Sequence, residues 1–143
     1  MGPIRIRFFY DFNSPYSYIG FEMLTRYMTQ RPVTVDWSPI RVPALFRQVN
    51  PSPPLSNPLK MANMKLDLGR LADHYRIPLR VPEDLSSFLR SVNSIEACRT
   101  VVAADTIMDG SLRDKVLPLS RAFFERLWSQ HQSIHSDQDI ATV

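Results

Sequence analysis

A pair of serines stands where the first predicted strand of the chain gives way to the first predicted helix. The stretch reads FFYDFNSPYSYIGFEML over residues 8–24, and Ser14 and Ser17 flank Pro15-Tyr16 within it. The backbone N–H groups of a helix start favour a bound anion, and a hydroxyl group there can donate a hydrogen bond to a thiolate. Lowering the pKa of a thiol by one unit from ~8.5 takes about 1.4 kcal/mol, which one good hydrogen bond to the charged form supplies. Ser14 is therefore a candidate for thiolate stabilisation.

The same residues have a simpler interpretation. Serine is one of the preferred residues at the N-cap of a helix, where its side chain accepts a backbone amide. Proline is favoured at the first helical position, because the amide hydrogen that it lacks would have no partner there. The spacing of Ser14 and Pro15, taken alone, favours this capping role over a chemical one.

The elements around the two serines follow from the hydrophobic pattern. Residues 4–9 alternate apolar side chains with arginine and predict a strand. Between residues 15 and 29, apolar side chains recur at the spacing of one helix face. Residues 33–40 are β-branched or aromatic and predict a second strand after a turn at Arg31-Pro32. Together they predict a right-handed βαβ unit with parallel strands.

The rest of the chain is predicted to be helical apart from proline-rich loops. Residues 41–60 contain five of the 12 prolines and predict an ordered or semi-ordered loop. One helix is predicted from about residue 61 to Ile77-Pro78, and a second proline-edged loop follows it at Pro82 and Glu83-Asp84. Further helices are predicted around residues 95–102, with Ser94, or alternatively Asn93, as the cap, and over residues 113–129. Residues 136–139 resemble the opening of one more helix.

Two strands do not make a stable parallel sheet, since such sheets need several strands with both faces covered. With two strands and about four helices predicted, either the helices supply most of the core or strands are missing from the chain.

Composition excludes several classes of function. The net charge of +3 over 143 residues is too small and scattered for a nucleic-acid interface. No apolar run is long enough to span a bilayer. The single cysteine, Cys98, excludes a disulfide framework and any dithiol centre within the chain. A single domain in a reducing compartment is expected, and Cys98 is predicted to be a small core residue.

A strand followed by X-Pro-X-X at a helix start is the active-site layout of thioredoxin-like proteins, whose dithiol members carry cysteine at the first and fourth positions. This chain has Ser14 and Ser17 there, and FYDFNSPYSYIGFEML resembles the class kappa glutathione transferases and the related 2-hydroxychromene-2-carboxylate isomerases. Further matching motifs follow in the same order along the chain: Asn50-Pro51-Ser52-Pro53-Pro54, Lys60-Met61-Ala62-Asn63, Ile77-Pro78 with Val81-Pro82, and Leu127-Trp128-Ser129.

The resemblance implies an α/β fold in which a thioredoxin-like domain is interrupted by a helical insertion. On this basis residues 1–58 are expected to form the N-terminal part of the thioredoxin-like domain and residues 59–143 the helical insertion. The C-terminal half of the thioredoxin domain is expected to be absent, which would leave an unpaired sheet edge.

The resemblance also implies a ligand and the residues that hold it. Glutathione is the expected substrate, with no metal. Ser14 matches the serine that stabilises the glutathione thiolate, and Pro15 and Tyr16 match residues that line the same site. Asn50 matches an asparagine that contacts glutathione, and Lys60 matches a basic residue for an anionic group.

Three functions remain open from the sequence. A transferase would let the glutathione thiolate attack small hydrophobic electrophiles, and the proline-rich loop with Asn50 favours this branch. An isomerase would add the same thiolate reversibly to a double bond, and Lys65-Leu66-Asp67-Leu68 favours it slightly. The third hypothesis is a non-catalytic truncated isoform. A disulfide oxidoreductase is excluded by Ser14 and Ser17.

The resemblance further implies a homodimer located in mitochondria or peroxisomes. No targeting signal is visible in the sequence, so a cytoplasmic location is also open. His74, His131 and His135 lack metal-ligand spacing and are predicted to be surface or capping residues. Arg41 and Arg47 border the proline-rich loop, and a solvated role is favoured over contact with an anion.

Overall fold

The computed structural model describes residues 4–49, 54–106 and 113–143. Strand β1 (Ile4–Tyr10), helix α1 (Pro15–Gln30) and strand β2 (Val33–Pro39) form the first unit. The two strands are parallel, and their register runs from Ile4 opposite Val33 to Tyr10 opposite Pro39. The predicted βαβ unit and the α/β fold class are therefore confirmed.

The other elements of the described chain are helical. They are α2 (Val42–Val49), a 3-10 turn (Pro54–Ser56), α3 (Pro58–Tyr75), α4 (Leu85–Ser91), α5 (Ile95–Thr106), α6 (Arg113–Trp128) and α7 (Asp137–Ala141). Helices α3, α5, α6 and α7 lie where the sequence predicts helices. At the start of α5 the Asn93 side chain accepts from the Ile95 amide at 3.2 Å, whereas the Ser94 hydroxyl donates elsewhere.

Two predicted loops are partly wrong. Residues 42–49 form α2, because Val42, Leu45, Phe46 and Val49 recur at helical spacing and Pro43, in the first turn, needs no intrahelical partner for its nitrogen. Helix α4 replaces part of the second loop, and the Asp84 carboxylate caps it by accepting from the Ser87 amide at 2.9 Å. Both helices are short, so in the sequence the loop signal of the nearby prolines is stronger than the helical spacing of the apolar residues.

Aromatic side chains from the βαβ unit and α6 make the centre of the core. Phe124 of α6 lies with its ring centroid 5.9 Å from Tyr10, 4.8 Å from Phe12, 5.0 Å from Tyr18 and 5.4 Å from Phe21. All five side chains are fully buried. The helices therefore supply much of the core, as the scarcity of strands predicts. The division at residue 58 stays a prediction.

Two buried hydrogen bonds join α6 to the end of β1. The hydroxyls of Tyr10 and Ser120 lie 2.8 Å apart, and the Trp128 indole N–H donates to the Phe12 carbonyl at 2.8 Å. Phe12 belongs to the loop that connects β1 with Ser14, so the bond from Trp128 fixes that loop to α6.

Candidate functional site

Ser14 is the N-cap of α1. Its backbone is extended, with φ −102° and ψ 112°, and its Oγ accepts from the Ser17 amide at 3.2 Å. Its carbonyl accepts from the Tyr18 amide, also at 3.2 Å, and Pro15 is the first helical residue. The capping interpretation of Ser14 is therefore confirmed.

Capping leaves Ser14 with a free donor. A hydroxyl has one hydrogen and two acceptor positions, and the bond from Ser17 uses only an acceptor position. In the part of the chain that the structure describes, neither the Ser14 hydroxyl hydrogen nor the Tyr16 amide hydrogen has an acceptor. Ser14 is partly exposed. The start of α1 thus offers two neighbouring donors to an anion, and capping does not prevent this.

The carboxylate of Asp11 ties this helix start to two other helices. Asp11 is fully buried. Its Oδ1 accepts from the Asn13 amide at 3.0 Å and from the Ser94 hydroxyl at 2.6 Å, and its Oδ2 accepts from the Val42 amide at 2.8 Å. A buried carboxylate is costly unless such bonds compensate it. Asp11 therefore fixes the starts of α2 and α5 against the end of β1.

The backbone of Asp11 holds both serines. Its carbonyl accepts from the Ser14 amide at 2.9 Å, and its amide donates to the Ser17 hydroxyl at 3.3 Å. Sequence reasoning missed this residue. The signal that could have found it is an acidic residue that directly follows a fully apolar strand end and precedes the N-cap by three positions.

Pro15, the first residue of α1, is fully buried. Tyr16, the next residue, connects the start of α1 with α3. The Tyr16 hydroxyl donates to Asp67 Oδ2 at 2.7 Å, and Tyr16 is 40% exposed. Partial burial and this bond to a carboxylate raise the pKa of Tyr16 to about 12. The phenol is therefore protonated at neutral pH and works as a donor.

Lys60 lies on the first turn of α3 and is exposed. It precedes Asp67 by seven residues, which places it two turns away on the same helix face, about 10 Å along the axis. Asn50 lies outside the described residues. The structure thus brings Ser14, Pro15 and Tyr16 together and joins them to α3, and the ligand-binding roles of all five residues stay predictions.

The remaining candidates divide by burial. Cys98 is a core residue, as predicted, and its burial and the negative charge of Asp11 raise its pKa to about 12. The three histidines are exposed, as predicted, as is Arg47. The solvated role predicted for Arg41 is wrong for its Nε, which is buried. Among the described residues no group of three or more His, Cys, Asp or Glu could hold a metal ion.

No helix in the described ranges is long and apolar enough to cross a membrane.

The chain is similar to proteins of one family. A sequence profile of the DSBA-like thioredoxin domain matches residues 5–143. Glutathione S-transferase kappa 1 of Caenorhabditis elegans is 30% identical over 97% of this chain and 60% of its own length. Its human namesake is 31% identical over 98% of this chain and 61% of its own length. The chain thus spans about 60% of the length of these relatives.

A solved structure of 2-hydroxychromene-2-carboxylate isomerase matches this fold with a TM-score of 0.62 at 22% identity, over 90% of this chain and 58% of that one. The comparisons confirm the resemblance that the Ser-Pro-Tyr-Ser motif predicts. With a strand that leads into a proline-containing helix start, and with a profile match over nearly all its residues, the chain belongs to the family of DSBA-like thioredoxin domains.

Proposed function

We propose that this chain is a glutathione transferase that binds glutathione at the start of α1 and directs its thiolate at small hydrophobic electrophiles. The observation that carries the proposal is the hydroxyl hydrogen of Ser14, which has no acceptor among the described residues and lies at a helix start whose geometry Asp11 fixes. Relatives named glutathione S-transferase kappa support the choice of thiol.

The chemistry needs an anionic sulfur at neutral pH. The Ser14 hydroxyl donates to the glutathione sulfur, and the first amide of α1 and the helix dipole add to the favourable field. The thiolate then attacks the electrophilic carbon, a C–S bond forms, and the leaving group departs with the displaced electron pair. Since Ser14 and Ser17 replace the two cysteines of redox relatives, the site activates a thiol that it does not itself carry.

The other predicted residues have roles in the same proposal. Pro15 and Tyr16 line the glutathione site. Asn50 contacts the peptide, and the exposed ammonium group of Lys60 pairs with a carboxylate of glutathione. Assembly as a homodimer and a mitochondrial or peroxisomal location, both implied by the resemblance, belong to the proposal as well.

A glutathione-dependent isomerase is the second candidate. The observation that favours it is the hydrogen bond between Tyr16 and Asp67, because Asp67 lies in the segment Lys65-Leu66-Asp67-Leu68 whose sequence is closer to that branch. The same thiolate would add to a conjugated double bond, permit rotation, and leave again. Turnover of an aromatic electrophile against an aromatic enol-acid separates the two reactions.

The test is the pKa of bound glutathione in matched cap variants. Binding is first measured by calorimetry on the 143-residue chain, and thiolate formation is then followed by ultraviolet absorbance across pH. In Ser14→Ala we expect the pKa to rise by about one unit, which lowers the thiolate fraction and the conjugation rate at neutral pH about tenfold. Asp84→Ala removes a comparable cap from α4, away from the proposed site residues, and is expected to change neither quantity.

Two results would contradict the proposal at different points. Folded protein that does not bind glutathione at millimolar concentration would reject glutathione as the ligand and favour the non-catalytic isoform. Binding with an unchanged thiol pKa in Ser14→Ala would retain the ligand but reject the role of Ser14.

A further inference from the structure

The two-stranded sheet leaves one edge of β1 open. In the described part of the chain the sheet consists of β1 and β2 alone. The Ile4 amide donates to the Pro32 carbonyl at 3.0 Å, beside the start of β2, so the backbone groups of the even-numbered residues of β1 face β2. Successive residues of a strand alternate in direction. The backbone groups of Arg5, Arg7 and Phe9 therefore face away from β2.

These outward backbone groups are unpaired and lie on exposed residues. Within residues 4–49, 54–106 and 113–143, no hydrogen bond reaches the amide or the carbonyl of Arg5, Arg7 or Phe9. Arg5 and Arg7 are exposed, and Phe9 is 53% exposed. Each residue offers one donor and one acceptor. A row of such groups on a strand edge is a template for a further strand.

The opposite edge of the sheet, on β2, is less suited to pairing. Its last outward position is Pro39, which has no amide hydrogen, and proline on a strand edge limits pairing. Trp37 and Pro39 also line a cavity of about 160 Å³ together with Val101 and Val102 of α5, so α5 lies beside this end of the strand. The β1 edge has no proline at its outward positions, and it is therefore the edge that can accept a strand.

The side chains on the open face of β1 indicate the chemistry of the added strand. Arg5 is paired with Asp36 at 2.7 Å. Arg7 has no carboxylate partner among the described residues. Its Nε donates to the Ser38 hydroxyl at 3.3 Å, and its guanidinium lies 5.2 Å from the centroid of the Phe9 ring. The face thus presents a positive charge without an acidic partner beside an exposed aromatic ring.

This charge argues against a second copy of β1 as the added strand. In the antiparallel register with full overlap, Arg7 would lie directly opposite Arg7 of the other copy, with Arg5 of each copy on the same face. Like charges directly opposite each other on neighbouring strands are destabilising. The edge is complementary to a strand that carries a negative charge.

We propose that the open edge of β1 binds an extended segment of a partner protein as an added antiparallel strand, with an acidic residue opposite Arg7 and an apolar residue opposite Phe9. Main-chain hydrogen bonds supply the affinity in this mode of recognition, and alternate side chains supply the specificity. The antiparallel direction is chosen because its hydrogen bonds are perpendicular to the strands and slightly more stable per residue. Ser14 takes no part, and the inference does not depend on the proposed function.

The test is amide hydrogen exchange of the isotope-labelled 143-residue chain, followed by NMR with and without the peptide acetyl-Thr-Ile-Val-Glu-Val-Thr-amide. In the antiparallel register its Glu faces Arg7 and its Ile faces Phe9. We expect saturating peptide to slow exchange of the Arg5, Arg7 and Phe9 amides by about tenfold or more. The outward amides of β2, at Val35 and Trp37, should not change.

Two methylated peptides test whether the backbone makes the contact. The Glu amide of the peptide points at β1, so its N-methylation should weaken binding by about tenfold. The amide of the Val that follows Glu points away from β1, and its N-methylation should have a much smaller effect.

A second pair of changes tests the charge. Gln in place of the peptide's Glu, and Arg7→Gln in the chain, should each weaken binding by about threefold. Combining the two should weaken it no further than either alone, because both remove the same pair. Arg70→Gln is the control, since Arg70 is an exposed arginine of α3, and it should leave binding unchanged.

Each of four other results would overturn the inference. Slow exchange of the Arg5, Arg7 and Phe9 amides in the free, dilute chain would mean that the edge is already occupied. Slowing that grows with the concentration of the chain itself would assign the edge to a second copy. Protection of Val35 and Trp37 would place the peptide on β2. Absence of protection at millimolar peptide, or equal binding of both methylated peptides, would reject strand addition.

Discussion

The starts of α1 and α3 share one local design. Ser14 and Asn57 are both N-caps with extended backbones, at φ −102° and −116°, and each is followed by a proline in the first helical position. Neither helix has an acidic residue in its first turn. Their surroundings differ, since Pro15 is fully buried whereas Leu59 is 82% exposed.

The two caps also use their side chains differently. Asn57 Oδ1 accepts two amides, from Leu59 at 3.0 Å and from Lys60 at 3.2 Å. Ser14 Oγ accepts one amide, and within the described ranges its own hydrogen has no acceptor, while the Asp11 carbonyl accepts from the Ser14 amide. Local sequence is enough to build a cap. A binding site also needs a hydrogen-bond donor that the cap does not use, and surrounding contacts that fix the direction of that donor.

The largest expected effect on stability comes from weakening the hydrogen bonds that Asp11 makes around the start of α1. Asp11→Asn keeps the shape of the side chain but replaces one acceptor oxygen with a donor, so at least one of the three donors, which are buried or partly buried, loses its partner. Hydrogen bonds to charged groups contribute about 1.5–3 kcal/mol each, and we expect the free energy of unfolding to fall by roughly 2–4 kcal/mol. Urea unfolding measures it.

The matched control is Asp84→Asn at the start of α4, where Asp84 is an exposed cap. Asparagine caps about as well as aspartate, so we expect a loss below about 0.5 kcal/mol. Equal losses in the two variants would mean that Asp11 acts only as one more local cap.

A second test places a thiol at each cap. Helix-start effects on charge reach about 2 kcal/mol where partly buried and about 0.3–1 kcal/mol at exposed positions. We therefore expect the pKa of the new thiol in Ser14→Cys to lie about one unit below that in Asn57→Cys. Thiolate absorbance against pH measures both, and Cys98 stays silent below its own pKa of about 12. Indistinguishable values would show that the surroundings of α1 add nothing to its start.

Whether an element or site can be predicted from the sequence depends on how far apart along the chain the contacting residues lie. The βαβ unit and the Ser14 cap are predictable, because both lie within one continuous pattern of about 37 residues. Helix α2 is harder to predict, since its apolar spacing covers only eight residues near prolines and the carboxylate that accepts its first amide lies 31 residues away. The bond from Ser94 to Asp11 spans 83 residues, so no local pattern indicates that Asp11 organises the site.

Glycine substitutions extend the comparison into the bodies of the two helices. A Cβ at Gly69 of α3 would have nothing within 4 Å, whereas one at Gly20 of α1 would meet the Phe8 ring at 3.0 Å. Alanine in place of a helical glycine stabilises by about 0.5–1 kcal/mol. We expect Gly69→Ala to gain this amount in thermal unfolding and Gly20→Ala to gain nothing or lose stability. A gain in both would mean that the packing of α1 on β1 is loose.

The smallest expected effect concerns the contact that joins the two helices. The Tyr16 pKa of about 12 exceeds its ordinary value of 10.0 because of partial burial and the bond to Asp67. For a group whose pKa is raised on folding, the stabilisation is complete below the unfolded value and is lost as pH rises through the folded one. Tyr16→Phe should therefore cost about 0.5 kcal/mol at neutral pH, and this cost should shrink between pH 10 and 12.

Asp67→Asn separates the two causes of the raised pKa. It removes the charge of the acceptor but leaves the burial of the Tyr16 ring, so the Tyr16 pKa should fall only part of the way from about 12 to 10.0. NMR titration of ¹³Cζ-labelled tyrosine resolves Tyr16 from the other phenols. A pKa that falls the whole way would assign the shift to Asp67 alone. An unchanged pKa would mean that the two helices do not hold this bond in solution, and α3 would then be linked to the site by packing alone.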